Sequence, residues 1–161
     1  MDAVKVGMAD LNVVVSPGIL ISLGLGSCVG VALYDSSKKI AGLAHIMLPS
    51  SKLIANNQNG AKFADTGIEI LLKMMTDKGA DMKNITAKGA GGAQMFSFQN
   101  ELNKLLNVGE RNVLAVKEVL KSFKIPILAQ DVGGNFGRTI EFHSRTGILI
   151  VKTINHGIKE I

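Results

Sequence analysis

From Leu11 to Tyr34 the chain carries no charged residue, and this stretch constrains the fold more than any other. It is long enough to cross a bilayer. Yet Asn12, Ser16, Pro17, Gly18, Ser22, Gly24, Gly26 and Ser27 interrupt it. Proline and clustered glycine and serine break a helix and favour turns. The apolar pieces between them are short and rich in β-branched residues. Val13–Val15 and Ile19–Leu23 therefore read as buried strands, and the segment is not expected to embed in a membrane. Val29–Tyr34 reads as a third strand. Asp35–Lys39 reads as a turn, and Ile40–Leu48 as a returning strand that Pro49 ends.

The remaining chain is mixed. Ser50–Gly60 is polar and reads as a surface loop. Lys62–Lys78 is predicted to be helical, with Phe63, Gly67, Ile70, Leu71 and Met74 at helical spacing and Gly79 placed to cap the C-terminus. Glu110–Phe123 is predicted to be a second helix with Val113, Val116, Leu120 and Phe123 on one face. Short strands are predicted at Ile85–Lys88 and Ile125–Ala129, and a last hairpin at Thr139–His143 and Ile148–Thr153. Strands crowd both ends and two helices sit between them. That order is not a βαβα alternation, so the expected class is α+β, in one domain over residues 1–161.

Composition narrows the function classes. The formal charge is +5, but basic residues are scattered and aromatics are only 4%. Neither a basic block nor a stacking platform for nucleic acid is evident. Phe96 and Phe98 read as core side chains, or as partner contacts if exposed. Asp2 and Asp10 around Lys5 argue against a secretory leader. A lone cysteine points to a reducing compartment, so the cytoplasm is expected. The sequence offers no plausible metal cluster, and no cofactor is expected. Gly89–Ala93 and Gly133–Gly137 do not fit phosphate-binding patterns and read as tight turns that wall a site.

That single cysteine, Cys28, follows the turn Gly24-Leu25-Gly26-Ser27. Backbone N–H groups near Gly26 and Ser27 can stabilise a thiolate, and later an oxyanion. His45 lies across the predicted hairpin. A two-residue loop, Ser36-Ser37, would put Cys28 directly opposite His45. A four-residue loop, Ser36–Lys39, would put them diagonally on one face, about 7–8 Å apart. A three-residue loop would put them on opposite faces. In either of the first two registers the imidazole can take the thiol proton, and the resulting ion pair keeps the sulfur ionised near neutral pH. Ser22, on the strand entering the turn, has a hydroxyl that could orient the imidazole. The plain alternatives are a buried cysteine that only packs, a strand histidine and a strand hydroxyl bonded to nearby backbone. His143 and His156 have no comparable link to Cys28.

Several segments together resemble the chemoreceptor glutamine deamidase family, CheD. They are Leu23-Gly24-Leu25-Gly26-Ser27-Cys28-Val29, Ala44-His45-Ile46-Met47-Leu48-Pro49 and Lys62-Phe63-Ala64-Asp65-Thr66. Further along stand Lys88-Gly89-Ala90-Gly91-Gly92-Ala93-Gln94-Met95-Phe96, Val108-Gly109-Glu110-Arg111-Asn112 and Asp131-Val132-Gly133-Gly134-Asn135-Phe136-Gly137-Arg138. The resemblance implies a layered α/β sandwich with mixed sheets, related to the cytotoxic necrotizing factor toxins. It implies a bacterial cytoplasmic enzyme that converts glutamine side chains of chemotaxis receptors to glutamate. Cys28 would be the nucleophile and His45 the general acid and base. The family's third position commonly holds threonine, and Ser22 stands there, keeping the hydroxyl and losing a methyl. The resemblance also implies association with the chemotaxis phosphatase CheC. A monomer is expected. The competing readings are a regulatory partner of CheC and a cysteine amidohydrolase acting on a small amide.

Overall fold

The computed structural model describes residues 3–53, 58–95 and 107–161. Residues 54–57 of the predicted polar loop, and Phe96 and Phe98, lie outside them. Among the described residues, ten strands form two five-stranded sheets. The first sheet runs in the order β1 (Ala3–Lys5), β3 (Ile19–Leu25), β8 (Arg138–His143), β9 (Leu149–Thr153), β10 (Gly157–Glu160). The second runs β2 (Leu11–Val15), β5 (Ile40–Ile46), β4 (Val29–Asp35), β6 (Ile85–Gly91), β7 (Ile127–Val132). Both sheets are mixed, with β1 parallel to β3 and β6 parallel to β7. Two α-helices, α1 (Ala64–Asp77) and α2 (Val108–Ser122), complete the described architecture. The α+β class and its layered form are those expected from the sequence.

Three layers result. One face of β4 and β5 packs against the helices, where Val29, Val31, Leu33, Ala44 and Ile46 meet Ile68, Leu71, Met75, Val116 and Leu120. The other face packs against the first sheet, where Ala32, Tyr34 and Leu43 meet Leu20, Ile140, Phe142 and Val151. All seven residues of β4 and all seven of β5 are buried. Covered on both sides, these strands have no wet face and hence no polar alternation. That accounts for the part of the uncharged run, Val29–Tyr34, that lies in β4. Each large apolar side chain buried in these layers contributes roughly 1.5–3 kcal/mol.

Local chemistry explains the element ends. Gly42 lets α1 approach β5, because a Cβ there would stand 2.8 Å from Met75 Sδ and 2.9 Å from Leu71 Cδ1. The buried stripe of α1 is Ala64, Ile68, Leu71, Leu72 and Met75, whereas Ile70 points outward. Of the expected stripe, Gly67 and Leu71 are buried, Met74 packs on the core and Ile70 is exposed, while Phe63 is extended and precedes the helix. Asn59 and Asn107 accept capping bonds at the starts of a 3₁₀ turn and of α2. The strand predicted at Ile125 begins only at Ile127, since Pro126 has no N–H for the ladder. Among the described residues no helix is long and apolar enough to cross a membrane.

Candidate functional site

The hairpin register places the candidate residues. Asp35 pairs with Ile40, so the loop has four residues and Gly30 stands opposite His45. Cys28 therefore lies diagonally from His45, on the face directed at the first sheet. Of the three loop lengths open to the sequence, this is the one that keeps the pair on one face without direct opposition. Asp35 selects it by accepting from the N–H groups of Ser37 (2.9 Å) and Lys38 (3.2 Å). Lys39 closes the loop in the left-handed region, at φ 55°.

Ser22 reaches His45 across the gap between the two sheets. Its Oγ lies 2.7 Å from His45 Nδ1 and 2.7 Å from the carbonyl oxygen of Val6. A hydroxyl carries one proton, and a carbonyl can only accept. Ser22 therefore donates to Val6 and accepts from His45 Nδ1–H. This fixes the neutral tautomer and leaves the base lone pair on Nε2. That atom is buried and has no hydrogen-bond partner among the described residues. A β-bulge after Ser22 frees the chain for the turn that follows. Pairing with β8 stops at Ser22–Ile140, resumes at Leu25–Arg138, and leaves Leu23 largely exposed. Such bulges re-aim side chains beside sites.

Cys28 is buried to 8% relative exposure and His45 completely. Burial pushes the Cys28 thiol up, against a smaller opposing effect from its own N–H. Burial also holds the His45 imidazole below its ordinary value. Both shifts favour the neutral thiol and neutral imidazole, because each charged form loses solvation. The resting pair is thus not the ion pair expected from the residue types alone. No hydrogen bond joins the two side chains in this state.

The turn before Cys28 is held by its carbonyls. The Gly26 carbonyl accepts from Ala93 N–H (2.9 Å) and the Cys28 carbonyl from Gly92 N–H (2.8 Å). The Ser27 carbonyl accepts from Asn112 Nδ2 (3.0 Å). Among the described residues, the N–H groups of Gly26, Ser27 and Cys28 donate to no other residue. Gly91 permits this docking, since a Cβ there would come within 2.2 Å of the Cys28 carbonyl oxygen, and its φ is +111°. The tight turn expected at Gly89–Ala93 is in part strand, since Gly89, Ala90 and Gly91 end β6, whereas Gly133–Gly137 does form the link between β7 and β8. Gly133 N–H donates to Gly91, and Gln94 N–H to Gly134. The buried Arg138 guanidinium donates to the Gly91 and Gly133 carbonyls and pairs with Asp131.

His143 lies 3.6 Å from Glu141 and His156 stacks on Phe136, so both belong to other contacts. Two contributors escaped the sequence reading. The Val6 carbonyl is a backbone group with no residue-type signal, and it sits just past a three-residue strand. Asn112 was visible as part of a motif, but its bonds depend on how α2 packs. Among the described residues no group of three or more histidine, cysteine or acidic side chains could hold a metal ion.

The family described as "CheD chemotactic sensory transduction" matches residues 47–153. That match begins downstream of Ser22, Cys28 and His45, which rest on their own geometry. The "Probable chemoreceptor glutamine deamidase CheD" of Caldanaerobacter subterraneus is 60% identical, covering 98% of this chain and 96% of its own. The "Chemoreceptor glutamine deamidase CheD" of Halalkalibacterium halodurans is 55% identical over 99% of both chains. A solved structure, the hypothetical protein YfiH of Bacillus licheniformis, reaches a TM-score of 0.41 at 12% identity, over 70% of this chain and 46% of its own. The near-complete overlap at such identities is decisive, and the chain belongs to the CheD family.

Proposed function

We propose that this chain is a cysteine-dependent deamidase that converts glutamine side chains of chemotaxis receptors to glutamate and releases ammonia. One observation carries the chemistry. Ser22 holds His45 with Nδ1 protonated and the lone pair on Nε2, which has no partner among the described residues, on the face that also bears the only cysteine of the sequence. The relatives' names supply the substrate.

The reaction starts from the neutral pair. His45 Nε2 takes the Cys28 proton as the thiolate attacks the glutamine side-chain carbonyl carbon. The C–S bond forms and the carbonyl π pair moves onto oxygen. N–H groups of the Gly26–Cys28 turn hold that oxyanion. The imidazolium returns its proton to the leaving nitrogen, the C–N bond breaks and ammonia departs. Water then attacks the thioester while His45 takes a proton from it. The C–S bond breaks, the thiol is restored and the product is a carboxylate. Substrate binding excludes water from the reacting pair.

Leu23 and Met95 are 55% and 46% exposed, and Met95 Cγ lies 3.1 Å from where a Gly26 Cβ would stand. An apolar rim beside the nucleophile turn favours a macromolecular surface over a small amide. In this reading the protein works as a monomer in the cytoplasm and binds CheC. Light scattering of the purified chain, alone and with CheC, tests the monomeric state and the CheC contact.

The decisive experiment is peptide mass spectrometry of a purified receptor cytoplasmic domain after incubation with wild type or Cys28→Ala. Amide-to-acid mass gains at discrete glutamines, absent with the folded variant, are expected. Retained activity in Cys28→Ala would reject the mechanism. No gain with folded wild type would reject the substrate.

A further inference from the structure

The β4–β5 ladder ends at Val29–Ile46. In the same register, Cys28 and Met47 would form the next pair, but the ladder does not reach them. Past that point the Met47 and Leu48 N–H groups turn to the carbonyl of Lys62. Beyond the Val29–Ile46 pair, no backbone ladder bond joins the nucleophile turn to the chain that follows His45.

Asn112 occupies this gap. It lies on α2, completely buried, and its Nδ2 donates to the Ser27 carbonyl (3.0 Å) and the Met47 carbonyl (2.9 Å). One of these residues precedes Cys28 directly. The other lies two residues after His45. Both partners are acceptors, so the amide orientation is fixed by chemistry and both of its protons are used. Its Oδ1 is buried without a hydrogen-bond partner among the described residues. An unpaired buried acceptor is unfavourable, and an apolar side chain would avoid it if helix packing were the sole requirement here. The two donated bonds are what the position retains.

We infer that Asn112 is a positioning residue for the thiol–imidazole pair. Its amide replaces the missing rung of the hairpin and sets the reach from Cys28 Sγ to His45 Nε2. This rests on the deamidase reading of the same site, but part of its test does not.

Asn112→Leu keeps the approximate shape and removes both donors together with the unpaired oxygen. Asn112→Ser leaves at most one donor. Each is compared with wild type after folding is checked by circular dichroism. Receptor deamidation should lose about a hundredfold in kcat with KM within about twofold, as expected for a misplaced nucleophile. Alkylation of Cys28 by iodoacetamide at neutral pH should slow about tenfold, because the imidazole then stands further from the thiol whose proton it takes as the new C–S bond forms. With one cysteine in the chain, the alkylation signal has a single source. Wild-type kcat and alkylation in either folded variant would overturn the inference. So would a raised KM at unchanged kcat, or failure of both variants to fold, which would make Asn112 purely structural. If wild type deamidates no receptor, the substrate reading falls, and the alkylation comparison still decides the role of Asn112.

Discussion

A single hydroxyl proton decides the chemistry of His45. Because Ser22 gives that proton to Val6, it can only accept from Nδ1–H, and the base lone pair must sit on Nε2. Ser22→Ala removes the acceptor and leaves the Nδ1–H and the Val6 carbonyl without that partner. The imidazole can then adopt the other tautomer, which presents a proton to the thiol in place of a lone pair. Receptor deamidation by this variant should fall about tenfold to a hundredfold in kcat, less than a general base's whole contribution. Ser22→Thr should retain both bonds, and its stiffer χ1 should keep kcat at or above wild type. Steady-state kinetics on a receptor fragment checks both, and an unaltered kcat in Ser22→Ala would show that the hydroxyl does not hold the ring. Cys28, His45 and Ser22 were legible as residue types at suggestive spacing. The direction of proton donation was not, since it depends on a carbonyl that the sequence does not mark.

At the scale of the element, the β4–β5 hairpin shows where sequence reading succeeds and where it stops. Its strands announce themselves as apolar runs, but loop length, and with it the register, was open among two, three and four residues. Asp35 settles the matter. It is buried at the hairpin's end and accepts from Ser37 Oγ, the Ser37 and Lys38 N–H groups, and the Asp81 N–H before β6. Burial alone would raise its pKa, but these bonds outweigh it and hold the carboxyl below its ordinary value. As pH falls, the unfolded chain therefore binds a proton first. The stabilisation is whole above the ordinary carboxylate range and is lost as pH drops toward the folded value. Asp35→Ala should cost about 2–4 kcal/mol at neutral pH, with hydrogen bonds to a charged group contributing most of it. Urea titrations at neutral and acid pH should show that gap narrowing in acid, and a gap independent of pH would mean that the loss is packing. The edge strands β1 and β10 were illegible for a different reason. They have three and four residues, and every residue of β10 is exposed, so neither carries an apolar pattern long enough to read.

At the scale of the whole molecule, the site spans layers. Ser22 belongs to the first sheet, His45 to the second, and Asn112 to a helix on the far side of that second sheet. The α+β class followed from strand and helix order, the layering from the family resemblance, and the nucleophile's turn from its glycines. The contacts between layers follow only from packing, because residues far apart in the chain meet there. The formal charge of +5 acts at this same scale. It adds no contact to the chemistry, but it can speed encounter with an acidic helical surface and raise its local concentration. The screening length shrinks from about 10 Å at 0.1 M salt to about 3 Å at 1 M. Steering should therefore fade across that range, while a buried thiol and imidazole feel little of the change. The expected result is a rise in KM for a receptor fragment with added sodium chloride, at nearly constant kcat. The iodoacetamide reaction of Cys28 should change little over the same series, since that reagent is neutral. A KM independent of ionic strength would assign receptor encounter to shape and the apolar rim of Leu23 and Met95, leaving the positive charge to solubility alone.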